Sequence, residues 1–264
     1  MQKEGEDMAS HPIYEFYAEL AGYHPKIWRR FQVFDNITMA RLGYILMTLF
    51  EMKASHLFRI EVPAEANFRA HISKILGDDG YACSCAEWGL DELFGRNMIF
   101  EVITENTLEF SNEDEKVYDA TKYRLKNVIF HTGSKLLFVY DFGDNWIVEV
   151  TLERIFNDPD LPGRLLPRVI EGEGFGIVED CGGVTGLAKL AKAFKEKKGK
   201  EYHEYSSWLG VDDFDIESFD IDDMNFRLSK IPRIYSDIYE YNLEPTKRSM
   251  DILERRYLKR KNKS

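Results

Sequence analysis
Between residues 13 and 62 the spacing of apolar side chains changes from two to three-and-four and back to two. That switch restricts the fold more than any other feature of the chain. In "IYEFYAEL", residues 13–20, Tyr14, Phe16, Ala18 and Leu20 share one parity, which predicts a half-buried strand. "AGYHP" supplies a turn, with Gly22 and Pro25 as its breakers. "KIWRRFQVF" alternates again, so Ile27, Phe31 and Val33 face inward with Arg29, while Trp28, Arg30 and Gln32 face outward. The pair reads as an antiparallel hairpin. In "NITMARLGYILMTLFEM", Met39, Leu42, Leu46, Leu49 and Phe50 recur at helical spacing, and Asn36 or Thr38 is placed to cap the first turn. "HLFRIEV", residues 56–62, returns to alternation through Phe58, Ile60 and Val62. Strand, strand, helix, strand predicts an α+β fold: a mixed or antiparallel sheet with a helix packed on one face, which buries both apolar surfaces at once.

The later sequence extends this core. "FRAHISKILGDDG" predicts a short helix, "MIFEVIT" a strand, and "ENTLEFSNEDEK" a polar loop, so residues 64–120 read as an insertion. Phe138, Tyr140 and Phe142 share one parity, and Trp146, Val148, Val150 and Leu152 another, which makes "FGDNW" a hairpin turn. Gly143 is the expected positive-φ residue there, with Asp144 or Asn145 tolerant of the same conformation. "PGRLLPRVIEGEGFGIVEDCGG" reads as a glycine-rich loop leading into a helix over 184–198, and Glu179 and Asp180 stand ahead of that helix, where its dipole favours acids. The segment from Ser206 predicts a short helix and turn carrying Trp208, Phe214, Phe219 and Leu228 onto the domain. The resulting division is a flexible arm over 1–11, one domain over 12–230, and a basic helical tail over 231–264.

With 264 residues, 44% of them hydrophobic, the chain can bury a substantial core. No apolar run approaches the roughly 18–20 residues that span a bilayer, so no membrane association is expected. The acidic start "MQKEGEDMAS" has no signal-peptide pattern, and three cysteines, Cys83, Cys85 and Cys181, form no even framework. These features predict a cytoplasmic protein with reduced thiols. A net charge of −11 argues against a general polyanion binder. The charge is uneven: Glu201–Asp223 holds nine acidic residues and no lysine or arginine, whereas Glu244–Ser264 holds eight basic residues against three acidic ones. A basic tail packed against an acidic face accounts for this. Nucleic-acid contact through Lys247, Arg248, Arg255, Arg256, Lys259, Arg260 and Lys261 is the alternative.

Five stretches, "HPKIWRRFQV", "HLFRIEV", "YDFGDNWIVEV", "EGEGFGIVEDCGG" and "FDIESFDIDDMN", carry a family resemblance in their order. The chain resembles the root-inducing-plasmid ORF-3-like family, whose members include TnpR-like passenger proteins of insertion elements, over roughly residues 12–230. The resemblance implies an α+β fold encoded on plasmids and mobile elements. It carries over no recombinase chemistry, since neither a serine- nor a tyrosine-recombinase constellation is present. Family members often carry cysteines around the glycine loop and a Pro-Pro before the Glu-Asp pair. Here Val169, Phe175 or Gly176, and Ile177-Val178 stand in those places, and only Cys181 remains.

Several motif readings fail on their own terms. Asp141-Phe142-Gly143 lacks the H-R-D loop and the glycine-rich phosphate loop of a kinase. A calcium loop counted from Asp213 would put Ser218 at position six and Met224 at position twelve, where glycine and glutamate are needed. "GEGFG" lacks the following lysine and hydroxyl residue of a phosphate cradle, and Cys83 and Cys85 have no second pair for zinc. No cofactor is expected. What remains is a motif face of Trp28, Arg29, Arg30, His56, Asp141, Asp144, Trp146, Glu179, Asp180 and Cys181. Its first reading is a non-enzymatic interaction or regulatory surface for a macromolecular partner, a protein in the first place, with Arg30 and Trp146 lining a groove. The second is a metal-assisted hydrolase, with His56, Asp141, Asp144, Glu179 and Asp180 as ligands, because carboxylates and an imidazole together can hold a divalent ion and activate water.

Overall fold
A computed structural model of the chain describes residues 11–63, 66–77, 97–103 and 117–257. Among these, eight strands form one mixed sheet. They are β1 (Ile13–Leu20), β2 (Trp28–Phe34), β3 (Phe58–Val62), β4 (Met98–Glu101), β5 (Val117–Asp119), β6 (Lys135–Tyr140), β7 (Trp146–Phe156) and β8 (Arg168–Glu173), in the order β5-β4-β3-β6-β7-β1-β2-β8. Only β4 and β5 run parallel; the other neighbours are antiparallel. The alternation read from the sequence decides which face is buried. Phe16, Ala18 and Leu20, Phe31 and Val33, Phe58 and Ile60, Phe138 and Tyr140, and Trp146, Val148 and Val150 all lie on the core side, almost without solvent contact.

Helix α1 (Met39–Leu49) lies on that side, capped by the Thr38 hydroxyl, which accepts from the Arg41 amide at 3.1 Å. Nearly every α1 residue is buried, which a helix covered on one side only would not require. The second cover is C-terminal. After α2 (66–77), α3 (Gly183–Glu196) and α4 (Gly199–Leu209), the chain forms α5 (Ile221–Leu228), α6 (Ile231–Tyr241) and α7 (Lys247–Leu253). Leu228, Ile231 and Tyr235 are buried against α1, and Tyr239 stacks on Tyr44 with ring centroids 5.7 Å apart. Sheet, α1 and C-terminal helices therefore form three layers. The first helical residues of the segment set apart as a tail from 231 belong to the core.

Four local expectations change. Residues 168–173, read as part of a loop, form β8 because its backbone completes the ladder of β2, with Phe31 opposite Val169. The β6–β7 turn takes positive φ at Asp141 (55°) and Asn145 (53°), whereas Gly143 is not among the positive-φ glycines. Trp208 stays 48% exposed on α4, a helix that the sequence reading began only at Ser206. Glu179 and Asp180 lie outside the first turn of α3, so they do not serve its dipole. The polar loop placed over 105–116, the cysteine pair Cys83/Cys85 and, except for His11, the N-terminal arm lie outside the described residues.

Candidate metal centre
Three chain reversals meet at one end of the sheet: the 50–57 link between α1 and β3, the 141–145 turn between β6 and β7, and the 174–182 loop from β8 to α3. The β3–β6 ladder, with Phe58 opposite Tyr140, runs one step further, since the Asp141 amide donates to the Leu57 carbonyl at 3.0 Å. This step brings His56 beside Asp141. The Asp141 side chain is divided in use: Oδ1 accepts from the Gly143 amide at 3.0 Å, while Oδ2 lies 3.5 Å from His56 Nε2. From the third loop, Asp180 Oδ1 approaches the same nitrogen to 3.4 Å. Asp180 also holds a left-handed backbone, at φ 60°. His56 Nε2 is buried as an atom and makes no hydrogen bond among the described residues. One ligand atom from each of His56, Asp141 and Asp180 lies within 4.8 Å of the others.

These spacings can be compared with a coordination shell. Metal–ligand bonds of about 2.0–2.2 Å place the corners of a tetrahedron about 3.3–3.6 Å apart. An octahedral magnesium shell at about 2.0–2.1 Å needs adjacent corners about 2.8–3.0 Å apart. The 3.4 and 3.5 Å separations from Nε2 match the first case. The Asp180 side chain, 71% exposed, has room to adjust.

The other acids proposed as ligands are committed elsewhere. Buried Glu179 accepts from the Lys53 amide at 2.7 Å, the Ser55 hydroxyl at 2.6 Å and the Tyr140 hydroxyl. Burial pushes the Tyr140 hydroxyl pKa far up, and the adjacent Glu179 charge raises it further, so this phenol remains a proton donor. Asp144 Oδ2 accepts from the Gly182 amide at 3.2 Å and ties two of the loops together. Gly183, at φ 65°, passes so close that an added Cβ would sit 2.7 Å from the Asp144 carbonyl oxygen. Cys181 has its thiol pKa pushed up to about 12 by burial and then by Asp144, so the thiol is protonated at neutral pH, and its sulfur is not among the converging ligand atoms.

The aromatic and arginine residues divide between two faces. Trp146 is wholly buried on the core side, whereas Trp28 and Arg30 lie on the opposite face, so no groove joins Arg30 to Trp146. Trp28 stacks on Tyr17 at 5.5 Å and donates to Glu173 at 3.2 Å. Arg30 pairs with Glu153 at 2.7 Å and with Glu171. Arg29 is fully buried and bonds only carbonyl oxygens. Of the basic residues in the C-terminal segment, Lys247 and Arg248 are exposed, Arg255 pairs with Glu51 and Asp223, and Arg256 pairs with Asp251 and Glu254. Lys259, Arg260 and Lys261 lie outside the described residues. Sequence reasoning missed Ser55, Tyr140 and Tyr239 as supports of the His56 loop. Tyr140 shares the parity of the core residues and carried no separate signal, and the Tyr239 hydroxyl reaches the His56 carbonyl from a helix 183 residues away.

An eight-stranded mixed sheet with a buried middle helix and a histidine–aspartate cluster at one end defines an α+β protein with a candidate metal centre. The chain belongs to the plasmid pRiA4b ORF-3-like protein family, which it matches over residues 12–223. It is similar to the uncharacterized protein y4hQ of Sinorhizobium fredii, with 24% identity over 202 residues, 76% of this chain and 82% of that one. Its fold is similar to the crystal structure of MM3350, a protein of unknown function from Methanosarcina mazei Go1. The TM-score is 0.59 at 25% identity, covering 80% of this chain and 97% of the other. No described helix is long and apolar enough to cross a membrane.

Proposed function
We propose that this protein binds a divalent transition-metal ion of the zinc class, which accepts a tetrahedral shell, through His56, Asp141 and Asp180. The observation that carries the reading is the buried His56 Nε2: it has no hydrogen bond among the described residues, yet two carboxylate oxygens from separate loops stand 3.4 and 3.5 Å away. Two carboxylates balance the charge of a divalent ion, and imidazole with carboxylate suits such metals. Three protein ligands would leave a fourth tetrahedral position for water or substrate, and the 71% exposure of the Asp180 side chain supports access from solvent. A water held there would lose a proton near neutral pH, which fits metal-assisted hydrolysis as the reaction class. Glu179, bonded to Ser55, Lys53 and Tyr140, acts as an outer support for the His56 loop.

The test is titration calorimetry of the full chain with zinc and manganese, paired with metal analysis after dialysis. The expected result is one ion per chain, with His56→Ala and Asp141→Asn each weakening binding by more than the about 10–100-fold typical of outer-shell losses. Binding that survives both substitutions, or wild-type protein that takes up neither ion, rejects the reading. A second reading, recognition of a protein partner, is favoured by Phe142, which is 49% exposed at the turn tip beside Asp141, with the Arg59 guanidinium 5.4 Å from its ring. Turnover of an ester or phosphoester by the metal-loaded protein, lost in His56→Ala, separates hydrolysis from partner binding.

A further inference from the structure
The loop presenting His56 is strained at two places and held along its length. Glu51 and Ala54 have φ of 64° and 63°, conformations that side-chain-bearing residues keep only when their surroundings fix them. The Met52 carbonyl accepts from Tyr235, the Lys53 amide and Ser55 hydroxyl donate to Glu179, and the His56 carbonyl accepts from Tyr239. Glu51 anchors the start. Its buried carboxylate receives Arg227 and both ends of the Arg255 guanidinium, at 2.7 and 2.6 Å.

Arg255 also reaches the loop that carries Asp180. Its guanidinium lies 5.6 Å from the centre of the Phe175 ring, and its Nε donates to Asp223 at 2.8 Å. The two loops are joined where it sits, since the Ile177 amide donates to the Phe50 carbonyl at 2.9 Å. An added Cβ on Gly176 would lie 2.6 Å from that same oxygen. One side chain near the C-terminus therefore contacts the beginnings of both the His56 loop and the Asp180 loop.

We infer that Arg255 is a positioning residue for the metal centre: by clamping Glu51 and Phe175 together it sets the separation of His56 and Asp180, and so lets the C-terminal segment control metal affinity. This rests on the metal-binding reading above. A purely stabilising Arg255 would alter the unfolding midpoint and leave the affinity of the folded protein unchanged. An outer partner that fixes ligand geometry instead affects affinity by about 10–100-fold.

The experiment is zinc titration of the full chain, of Arg255→Ala, of Arg255→Lys, and of chains ending at Tyr257 or at Glu254. Each is measured well below its own unfolding midpoint, with folding checked by circular dichroism. Arg255→Ala and the chain ending at Glu254 are expected to bind at least about tenfold more weakly. Arg255→Lys, which keeps the charge but loses the two-pronged contact, is expected in between. The chain ending at Tyr257 is expected to match wild type. If Arg255→Ala does not fold, Arg255→Lys carries the comparison. Equal affinity in all folded variants overturns the inference and leaves the metal centre standing. Failure of the wild-type chain to bind removes the centre, and the inference with it.

Discussion

Among the described residues Arg29 is the largest charged side chain wholly removed from solvent, and its surroundings explain how a cation survives there. Its five N–H groups make five hydrogen bonds, to the carbonyls of Leu49, Trp28, Glu173, Gly174 and Phe175, between 2.6 and 3.1 Å. The Phe219 ring lies 4.0 Å from the guanidinium. Burial pushes the Arg29 pKa down to about 9, which leaves it charged at neutral pH. The effect is to fold residues 173–175 around a fixed centre, the point from which the Asp180 loop departs. Lysine has three donors on one nitrogen and cannot reach carbonyls on several sides. Arg29→Lys is therefore expected to destabilise the protein by roughly 3–5 kcal/mol, as buried charged contacts are lost and carbonyls left unpaired. Urea unfolding checks it: a change below about 1 kcal/mol would mean that water replaces the missing donors.

At the scale of elements, α2 shows how a helix is tied to a strand by an asparagine that imitates a strand's backbone. Asn67 accepts from the Lys135 amide at 2.7 Å and donates to the Lys135 carbonyl at 2.8 Å, reproducing the pair of bonds a strand would make with the start of β6. Further along α2, His71 stacks on His131 with centroids 4.4 Å apart. Asn67→Ala is expected to cost about 1–3 kcal/mol locally and to speed hydrogen exchange at the Lys135 amide, while exchange in β1 and β7 stays slow. Uniform acceleration across the sheet would mean that α2 is part of the global core. Neither contact was legible in the sequence, because a lone asparagine gives no clue to a partner 68 residues away. The legible elements were those whose own period reports burial: β1, β2, α1, β3, the β6–β7 hairpin and α3, with α2 and β4 read as a short helix and a strand as well. β8 was hidden because "RVIEGEGFG" has glycines and charges where alternation would be expected, and it is a strand only because β2 offers an open edge. Of the candidate metal residues, sequence supplied the right types but not the choice among them. That choice depends on where the three loops place each carboxylate: Asp141 and Asp180 each bring an oxygen to within 3.5 Å of His56 Nε2, while Glu179 turns to the Lys53 amide and Ser55, and Asp144 to the Gly182 amide.

The whole molecule is held together across its layers by a buried charge node as well as by apolar packing. Glu51, just beyond α1, meets Arg227 from α5 and Arg255 from beyond α7, and Arg255 in turn meets Asp223, whose other oxygen accepts from Tyr257. The basic C-terminal segment thus lies against acids of the chain, as its charge pattern suggested, although one of the two anchors belongs to the α1–β3 link outside the acidic run. Burial pushes the Glu51 pKa up, but the charges and hydrogen bonds of Arg227 and Arg255 outweigh it, so the carboxyl sits below its ordinary value of 4.5. The sign of the linkage follows. At pH above 4.5 the ionised carboxylate contributes its full stabilisation, because the unfolded chain is then ionised as well. As pH falls below 4.5 the unfolded chain takes up a proton that the folded node resists, and the contribution fades until pH passes below the folded value. Glu51→Gln keeps the shape and one acceptor but cannot titrate. It is expected to be less stable than wild type at pH 7, since two guanidinium groups lose their counter-charge. The gap should narrow steadily between pH 5 and pH 3, measured as urea midpoints for both proteins. Parallel curves over that range would show that the node does not couple folding to pH, and would place the acid sensitivity of this three-layered fold in its exposed carboxylates instead.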